Sequence, residues 1–168
     1  MGPKNRGNTM SEKKKLSLIC MSGDFDKAVA VFTLASGAAA VNYDVNVFFT
    51  FWGLNVIKKN TGRRFLGKGL LDRAFNFLMG GRSNLPLSRL NFGGISPGLM
   101  TGMMRRRRVA TLDELFQASL ALGVNLYACE MAMHVLGLGK DDFIPEIKDV
   151  LGVAAFLDLS HGGQTLFI

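Results

Sequence analysis

Residues 124–134 have the sequence VNLYACEMAMH, a short apolar run that passes directly into the start of a helix. An apolar run of this length predicts a buried strand, so Cys129 stands at the carboxyl end of a strand and before a helix N-terminus. At that position the positive end of the helix dipole stabilises a thiolate, and open α/β sheets bind ligands along the same edge. The alternative is that Cys129 is a buried cysteine that acts as a small apolar residue.

The same alternation of strand and helix runs through most of the chain. It predicts parallel strands joined by crossover helices. Ser22 or Asp24 is placed to cap the first helix, and Thr111 with Glu114 predicts a capping box ahead of a later one. The predicted strands are 16–21, 45–51, 124–128, a short strand at or beside Val150, and 164–168. The predicted helices are 25–41, 111–122, a short acidic helix at 141–147 limited by Pro145, and 153–159.

These elements predict an α/β fold: a single-domain, doubly wound, mostly parallel five-stranded sheet of flavodoxin-like topology. The commonest order for five such strands is 2-1-3-4-5, which makes the first and third strands neighbours. Cys20 and Cys129 end those two strands, so both would flank the point where this architecture binds its ligands. Because Cys20 lies within an apolar strand, a packed thiol is the favoured interpretation there.

Composition limits the class of protein. With 168 residues, 48% of them hydrophobic and 20% charged, the chain suits one globular domain with a sizeable core. Residues 1–14 are polar and lack the apolar segment of a secretory signal, so we expect a disordered lead or tag before a domain at 15–168. The two cysteines and two histidines show neither a disulfide framework nor metal-ligand spacing. We therefore expect a cytoplasmic protein with no metal and no cofactor.

Residues 58–108 form a basic insertion after the second strand. They contain twelve Lys or Arg residues and one acid, Asp72, a local charge of +11 against +7 for the whole chain. The insertion is rich in Gly and Met, and its residues 65–79 predict an amphipathic helix. Four interpretations stay open: a lid or docking arm for anionic substrates or acidic proteins, peripheral contact with anionic lipid, nucleic-acid binding, and a solvated loop. Nucleic acid is not the expected partner, because no stacking platform accompanies the charge.

Three separated motifs resemble the DsrE/DsrF-like family, and more narrowly its stand-alone DsrE-type, peroxiredoxin-like branch. They are SGDFDKA at 22–28, FFTFWGL at 48–54, and CEMAM at 129–133 with Gly137. The resemblance extends from Lys15 over nearly the whole remaining chain and includes the basic insertion. Glu130 departs from the branch, which often has an uncharged residue there, and a carboxylate at this position disfavours a neighbouring thiolate.

The resemblance implies a parallel α/β sheet assembled as a homotrimer or homohexamer, and a sulfur carrier or sulfurtransferase that relays sulfane sulfur. It implies a persulfide on Cys129, with Cys20 as a possible second thiol, and TusA-like or rhodanese-like proteins as donors and acceptors. Gly23, Asp24 and Trp52 are then candidates to line the pocket, and Arg105 and Arg106 are candidates to stabilise the anionic persulfide.

Two other functions remain open from the sequence. The first is a thiol-dependent peroxidase or oxidoreductase in which Cys20 resolves an oxidised Cys129, although no CxxC motif is present. The second is a non-catalytic module that binds an anion or nucleotide, although the chain lacks both G-x-G-x-x-G and the P-loop pattern.

Overall fold

The structure is a computed structural model that describes residues 13–59, 62–63, 65–67, 69–89 and 96–168. Most of the predicted disordered lead, residues 1–12, therefore lies outside the described residues. So do several positions of the basic insertion, including Arg64, Lys68 and residues 90–95.

In the described residues, five strands and six α-helices follow one another in an order close to the one that the sequence predicts, with three successive helices between the second and third strands. The strands are β1 (Lys15–Cys20), β2 (Asp44–Phe49), β3 (Asn125–Cys129), β4 (Ile147–Leu151) and β5 (Gln164–Phe167). The α-helices are α1 (Phe25–Ala40), α2 (Leu70–Met79), α3 (Ser96–Arg106), α4 (Leu112–Ala121), α5 (Glu130–Val135) and α6 (Val153–Ser160). Short 3₁₀ helices occupy Phe51–Val56, Arg82–Asn84 and Lys140–Asp142.

The five strands form one sheet in which every neighbouring pair is parallel, in the order β4-β3-β2-β1-β5. The predicted α/β class with its five-stranded parallel sheet is confirmed, but the predicted order 2-1-3-4-5 is wrong. Consecutive strands β1 to β4 are laid side by side in one direction, and β5 returns to the free side of β1. As a result β2 separates β1 from β3, and the two cysteines do not end neighbouring strands.

Helices cover both faces of the sheet. On one face, the Phe32 ring of α1 lies 6.1 Å from the Phe49 ring of β2 and 5.1 Å from the Phe116 ring of α4. On the other face, Phe156 of α6 stacks on Phe48 with ring centroids 4.4 Å apart. Because Phe48 and Phe49 are successive residues of one strand, their side chains point to opposite faces. The core is therefore two apolar layers with the sheet between them.

Three predicted elements differ from the structure. The predicted helix at 141–147 is wrong, because only Lys140–Asp142 forms a 3₁₀ turn and Ile147 begins β4. The backbone N–H of Ile144 donates instead to Ile57 O at 3.1 Å, a long-range bond that holds this segment extended. The second strand ends at Phe49 rather than residue 51, and within the predicted amphipathic segment 65–79 the helix begins only at Leu70.

Candidate functional site

A 3₁₀ helix closes the carboxyl end of β1. The N–H of Thr50 donates to Cys20 O at 3.0 Å, and the N–H of Gly53 donates to Met21 O at 2.9 Å. A Cβ added at Gly53 would collide with the carbonyl oxygen of Cys20, so only glycine permits this approach. The segment Phe51–Val56 is consequently held directly against the end of β1.

This closure buries Cys20 completely. Its exposed fraction is 0%, and its thiol donates to the carbonyl oxygen of Ser22 at 3.6 Å. Burial raises the pKa of the Cys20 thiol to about 12, because a thiolate would lose its hydration there. The thiol is therefore protonated at neutral pH, which supports the packing interpretation of Cys20.

The motif after β1 builds the N-terminus of α1. Asp24 is the N-cap residue of α1, and its carboxylate accepts a hydrogen bond from Ser22 Oγ at 2.7 Å. Gly23 lies against the backbone of Trp52, since a Cβ there would come within 2.8 Å of Trp52 O. Trp52 is 40% exposed, with its ring 5.8 Å from that of Phe75 in α2. Cys20, Gly23 and Trp52 thus belong to one cluster at the end of β1.

Cys129 ends β3 and is the N-cap residue of α5, the strand-to-helix junction that the sequence predicts. Its exposed fraction is 1%. Its side chain makes no capping hydrogen bond to α5, so the first N–H groups of this helix are not used by the thiol. The adjacent Glu130 side chain is exposed and lies beside Gly152, after β4, where an added Cβ would be 3.7 Å from Glu130 Oε2.

The register places the two cysteines on different faces of the sheet. Cys20 pairs with Phe49, and Phe49 pairs with Ala128, so these three side chains share a face. Cys129 is the next residue after Ala128 and points to the opposite face. Two interstrand spacings add a separation of about 10 Å between β1 and β3. The expectation that both thiols flank one ligand point is therefore wrong.

The two candidate arginines lie on α3, and both are exposed. Arg105 lines a cavity of about 340 Å³ between α3 and the N-termini of α1 and α4, together with Arg82, Thr101 and Thr111. Arg82 is fixed there by an ion pair of 2.8 Å with Asp113, and its guanidinium lies 4.0 Å from the Phe116 ring centroid. Neither cysteine lines this cavity. The structure gives no contact between Cys129 and the predicted persulfide-stabilising arginines.

Sequence reasoning missed a buried amine in the insertion. Lys58 is 1% exposed, and its Nζ donates to Asn76 Oδ1 at 2.8 Å and to Gly80 O at 3.3 Å. Burial lowers the pKa of Lys58 to about 8, with Asp142 acting in the opposite direction. The available sequence feature was the mostly apolar segment 54–57 immediately before Lys58, whose burial continues into the lysine.

A cavity of about 710 Å³ lies at the amino edge of the sheet. It is lined by Lys13, Lys15, Asn42, Tyr43 and His161, among others, and contains neither cysteine. Among the described residues, no group of three or more His, Cys, Asp or Glu side chains is arranged to hold a metal ion.

The geometry defines a parallel α/β protein with one cysteine at a strand-to-helix junction and a second thiol sealed in the core. A family model described as the DsrE/DsrF/DrsH-like family matches residues 12–167. The chain belongs to this family. It is 38% identical over 159 residues to the uncharacterized protein YrkE of Bacillus subtilis (strain 168), which covers 94% of this chain and 98% of that protein.

A second relative carries a functional name. The sulfur carrier protein DsrE2 of Allochromatium vinosum is 34% identical over 153 residues, which is 89% of this chain and 94% of that protein. Among solved structures, protein MTH1491 of Methanobacterium thermoautotrophicum, a protein of unknown function, superposes with a TM-score of 0.51 at 14% identity. The match covers 93% of this chain and 100% of that chain, and it supports the fold alone.

Proposed function

We propose that the chain is a sulfur carrier that relays sulfane sulfur as a persulfide on Cys129. The observation that carries the proposal is the position of Cys129 as the last residue of β3 and the N-cap of α5, in a chain 34% identical to a named sulfur carrier. The family resemblance supports TusA-like or rhodanese-like proteins as donors and acceptors.

Sulfur transfer at Cys129 involves no net oxidation. The Cys129 thiolate attacks the outer sulfur of a donor persulfide R–S–SH, forming Cys129–S–SH. The donor's own S–S bond breaks, and R–S⁻ leaves with the electron pair. An acceptor thiolate then attacks the outer sulfur on Cys129 in the same manner and regenerates the Cys129 thiolate.

The first turn of α5 suits the state in which Cys129 carries a persulfide. The N–H groups at the start of a helix have no intrahelical acceptor, and those of α5 donate no capping bond to the Cys129 side chain. A persulfide extends the side chain by one S–S bond of about 2 Å. The donors at the start of α5 favour negative charge, which supports an anionic outer sulfur at this position.

Access to Cys129 requires local opening. With 1% of its surface exposed, the thiol is not reached by a donor protein in this arrangement. Helix α5 is the element suited to open, because it has six residues and its Glu130, Met131, His134 and Val135 are exposed. A helix this short depends on packing for its stability, so opening requires Ala132 and Met133 to leave the core.

The thiol peroxidase alternative loses its resolving residue. Cys20 is buried and protonated, it lies two strands away from Cys129, and it faces the other side of the sheet. No observation in the described residues favours that function over sulfur relay.

Intact-mass spectrometry after brief exposure to glutathione persulfide tests the proposal. We expect the parent chain to gain one sulfur, about 32 Da, that dithiothreitol removes. Cys20→Ala is the matched control and should gain the same mass, whereas Cys129→Ser should gain none. Sulfur uptake by Cys129→Ser, or oxygen uptake at Cys129 from peroxide with no sulfur uptake in the parent, would contradict the carrier function.

A further inference from the structure

Helix α2 turns its apolar face to solvent. Leu70, Leu71, Phe77 and Leu78 fall on one side of the helix at the spacing i, i+1, i+7 and i+8. Their exposed fractions are 86%, 85%, 38% and 64%. Phe65, from the preceding segment, extends this face by stacking on Phe77 with ring centroids 4.4 Å apart. We call these five residues the α2 apolar face.

The opposite side of α2 is polar and docked against the protein. Asn76 is 2% exposed, accepts from Lys58 Nζ at 2.8 Å and donates through Nδ2 to Leu136 O at 3.0 Å. The Asp72 carboxylate accepts from Gly69 N at 3.0 Å and caps the helix. A surface helix of a globular protein normally packs its apolar side inward. The orientation of α2 is the reverse.

Positive charge borders the α2 apolar face. Arg73 is exposed on the same helix, and exposed Arg63 packs beside Gly80, where an added Cβ would lie 3.4 Å from Arg63 Cγ. The only acid in the insertion, Asp72, is engaged in the helix cap. The insertion as a whole carries twelve positive charges and one negative. The α2 apolar face thus belongs to a strongly cationic segment.

We propose that the α2 apolar face is a docking surface for an anionic lipid bilayer. Leucine and phenylalanine side chains enter the boundary between headgroups and acyl chains, while Arg63 and Arg73 pair with lipid phosphates. With ten residues, α2 is about 15 Å long, half of the roughly 30 Å hydrocarbon core, so it lies along the surface. No helix in the described part of the chain is long and apolar enough to cross a membrane.

Charge and topology favour lipid over a second copy of the chain. Two copies meeting through this face would bring two cationic insertions together, which is unfavourable. Self-association has a more suitable surface in the edge strand β5 and helix α6, where Leu166, Phe167, Val153 and Leu157 are exposed. An anionic bilayer complements both the apolar residues of the α2 face and their cationic border.

Vesicle co-sedimentation of the full chain tests the proposal. We expect binding to vesicles of equal parts phosphatidylglycerol and phosphatidylcholine, loss of binding with phosphatidylcholine alone, and weakening at high salt. The double variant Leu70→Gln/Leu71→Gln should bind about tenfold or more weakly, because two inserted leucines are lost. The matched control is Leu34→Gln/Val41→Gln, which changes two exposed apolar residues at α1 and its C-cap and should bind as the parent does.

Each other result overturns the proposal. Equal binding to both vesicle types would show that charge has no role in binding. Full binding by Leu70→Gln/Leu71→Gln would show that the α2 apolar face has none. If the parent ignores both vesicles, and light scattering shows that Leu70→Gln/Leu71→Gln lowers the oligomeric mass, then the face joins copies of the chain. If the parent binds neither vesicle type and the oligomeric mass of Leu70→Gln/Leu71→Gln equals that of the parent, the face serves another partner. Sulfur uptake at Cys129 is measured separately and does not affect this outcome.

Discussion

Two buried titratable residues have pKa values displaced in opposite senses. The pKa of Lys58 is lowered from 10.5 to about 8, because burial penalises its charged form. The pKa of Cys20 is raised from 9.0 to about 12 for the same reason, since its charged form is the thiolate. Burial therefore favours the neutral form of both residues, and the two affect the pH dependence of stability with opposite signs.

We predict that the free energy of unfolding rises between about pH 8 and pH 9. In this window the unfolded chain still holds the proton on Lys58, whereas the folded chain has begun to lose it, so stability increases with pH. The limit for one proton is about 1.4 kcal/mol per pH unit. Above about pH 9 the folded chain keeps the Cys20 proton that the unfolded chain loses, and this opposes the rise. Urea unfolding across this range measures the profile.

Two variants separate these contributions. Lys58→Met should lack the rise between pH 8 and pH 9 that the parent shows. Cys20→Ala should extend the rise toward pH 10.5, because the opposing thiol is gone. Identical pH profiles for the parent and Lys58→Met would show that the buried amine does not titrate in this range.

Residue by residue, the sequence predicted the strand-to-helix position of Cys129 but not the burial of Lys58. The first prediction needs only an apolar run followed by a helix start. The second depends on Asn76, eighteen positions later in the chain, whose amide oxygen accepts from the lysine. A lysine is otherwise expected at the surface, and local sequence contains no information about such a distant partner.

At the scale of elements, the capping box of α4 is a local feature that the sequence predicts and the structure contains. The Glu114 carboxylate accepts from Thr111 N at 2.7 Å, and Glu114 N donates to Thr111 Oγ1 at 3.4 Å. These bonds satisfy backbone groups at the helix start that have no intrahelical partner. The box involves residues three positions apart, which is why the pattern alone identified it.

We predict that Thr111→Ala lowers the free energy of unfolding by about 1 kcal/mol, as loss of an N-cap hydroxyl typically does. Thr33→Ala is the matched control. Thr33 is exposed inside α1, where its hydroxyl bonds only to the Val29 carbonyl of the same helix at 2.8 Å. We expect Thr33→Ala to change the free energy of unfolding by no more than about 0.5 kcal/mol. Equal effects of the two substitutions in urea unfolding would argue against an energetic role for the cap.

Elements that depend on distant contacts were predicted less well. The segment 141–147 has helix-like composition, but the bond from Ile144 N to Ile57 O and the pairing of Ile147 with Leu126 hold it extended. Within 65–79 the amphipathic pattern correctly predicted a helix, yet not that its apolar side would face solvent. Periodicity identifies the two sides of a helix, whereas the Lys58–Asn76 contact decides which side docks.

At the scale of the whole molecule, the number of strands and their parallel arrangement follow from alternation, but their order does not. Crossovers between parallel strands are right-handed in nearly all proteins, but this rule leaves open the direction in which the chain moves along the sheet, which decides the position of the next strand. Here the direction is constant from β1 to β4 and reverses only for β5. Sequence periodicity does not encode that choice, and the relative position of the two cysteines depends on it.

The strand order leads to a prediction about oxidation. Cys20 and Cys129 end strands separated by β2 and point to opposite faces, so their separation exceeds the roughly 7 Å between Cα atoms that a disulfide tolerates. We expect diamide treatment of the folded chain to give no intramolecular disulfide, that is, no loss of about 2 Da in the monomer mass. The same treatment in guanidinium chloride is the control, because the two thiols of the unfolded chain are free to meet and should form the bond. A native-state loss of about 2 Da would mean that the sheet opens enough for Cys20 to reach Cys129. The buried thiol would then become a resolving residue, and the peroxidase alternative would regain its chemical basis.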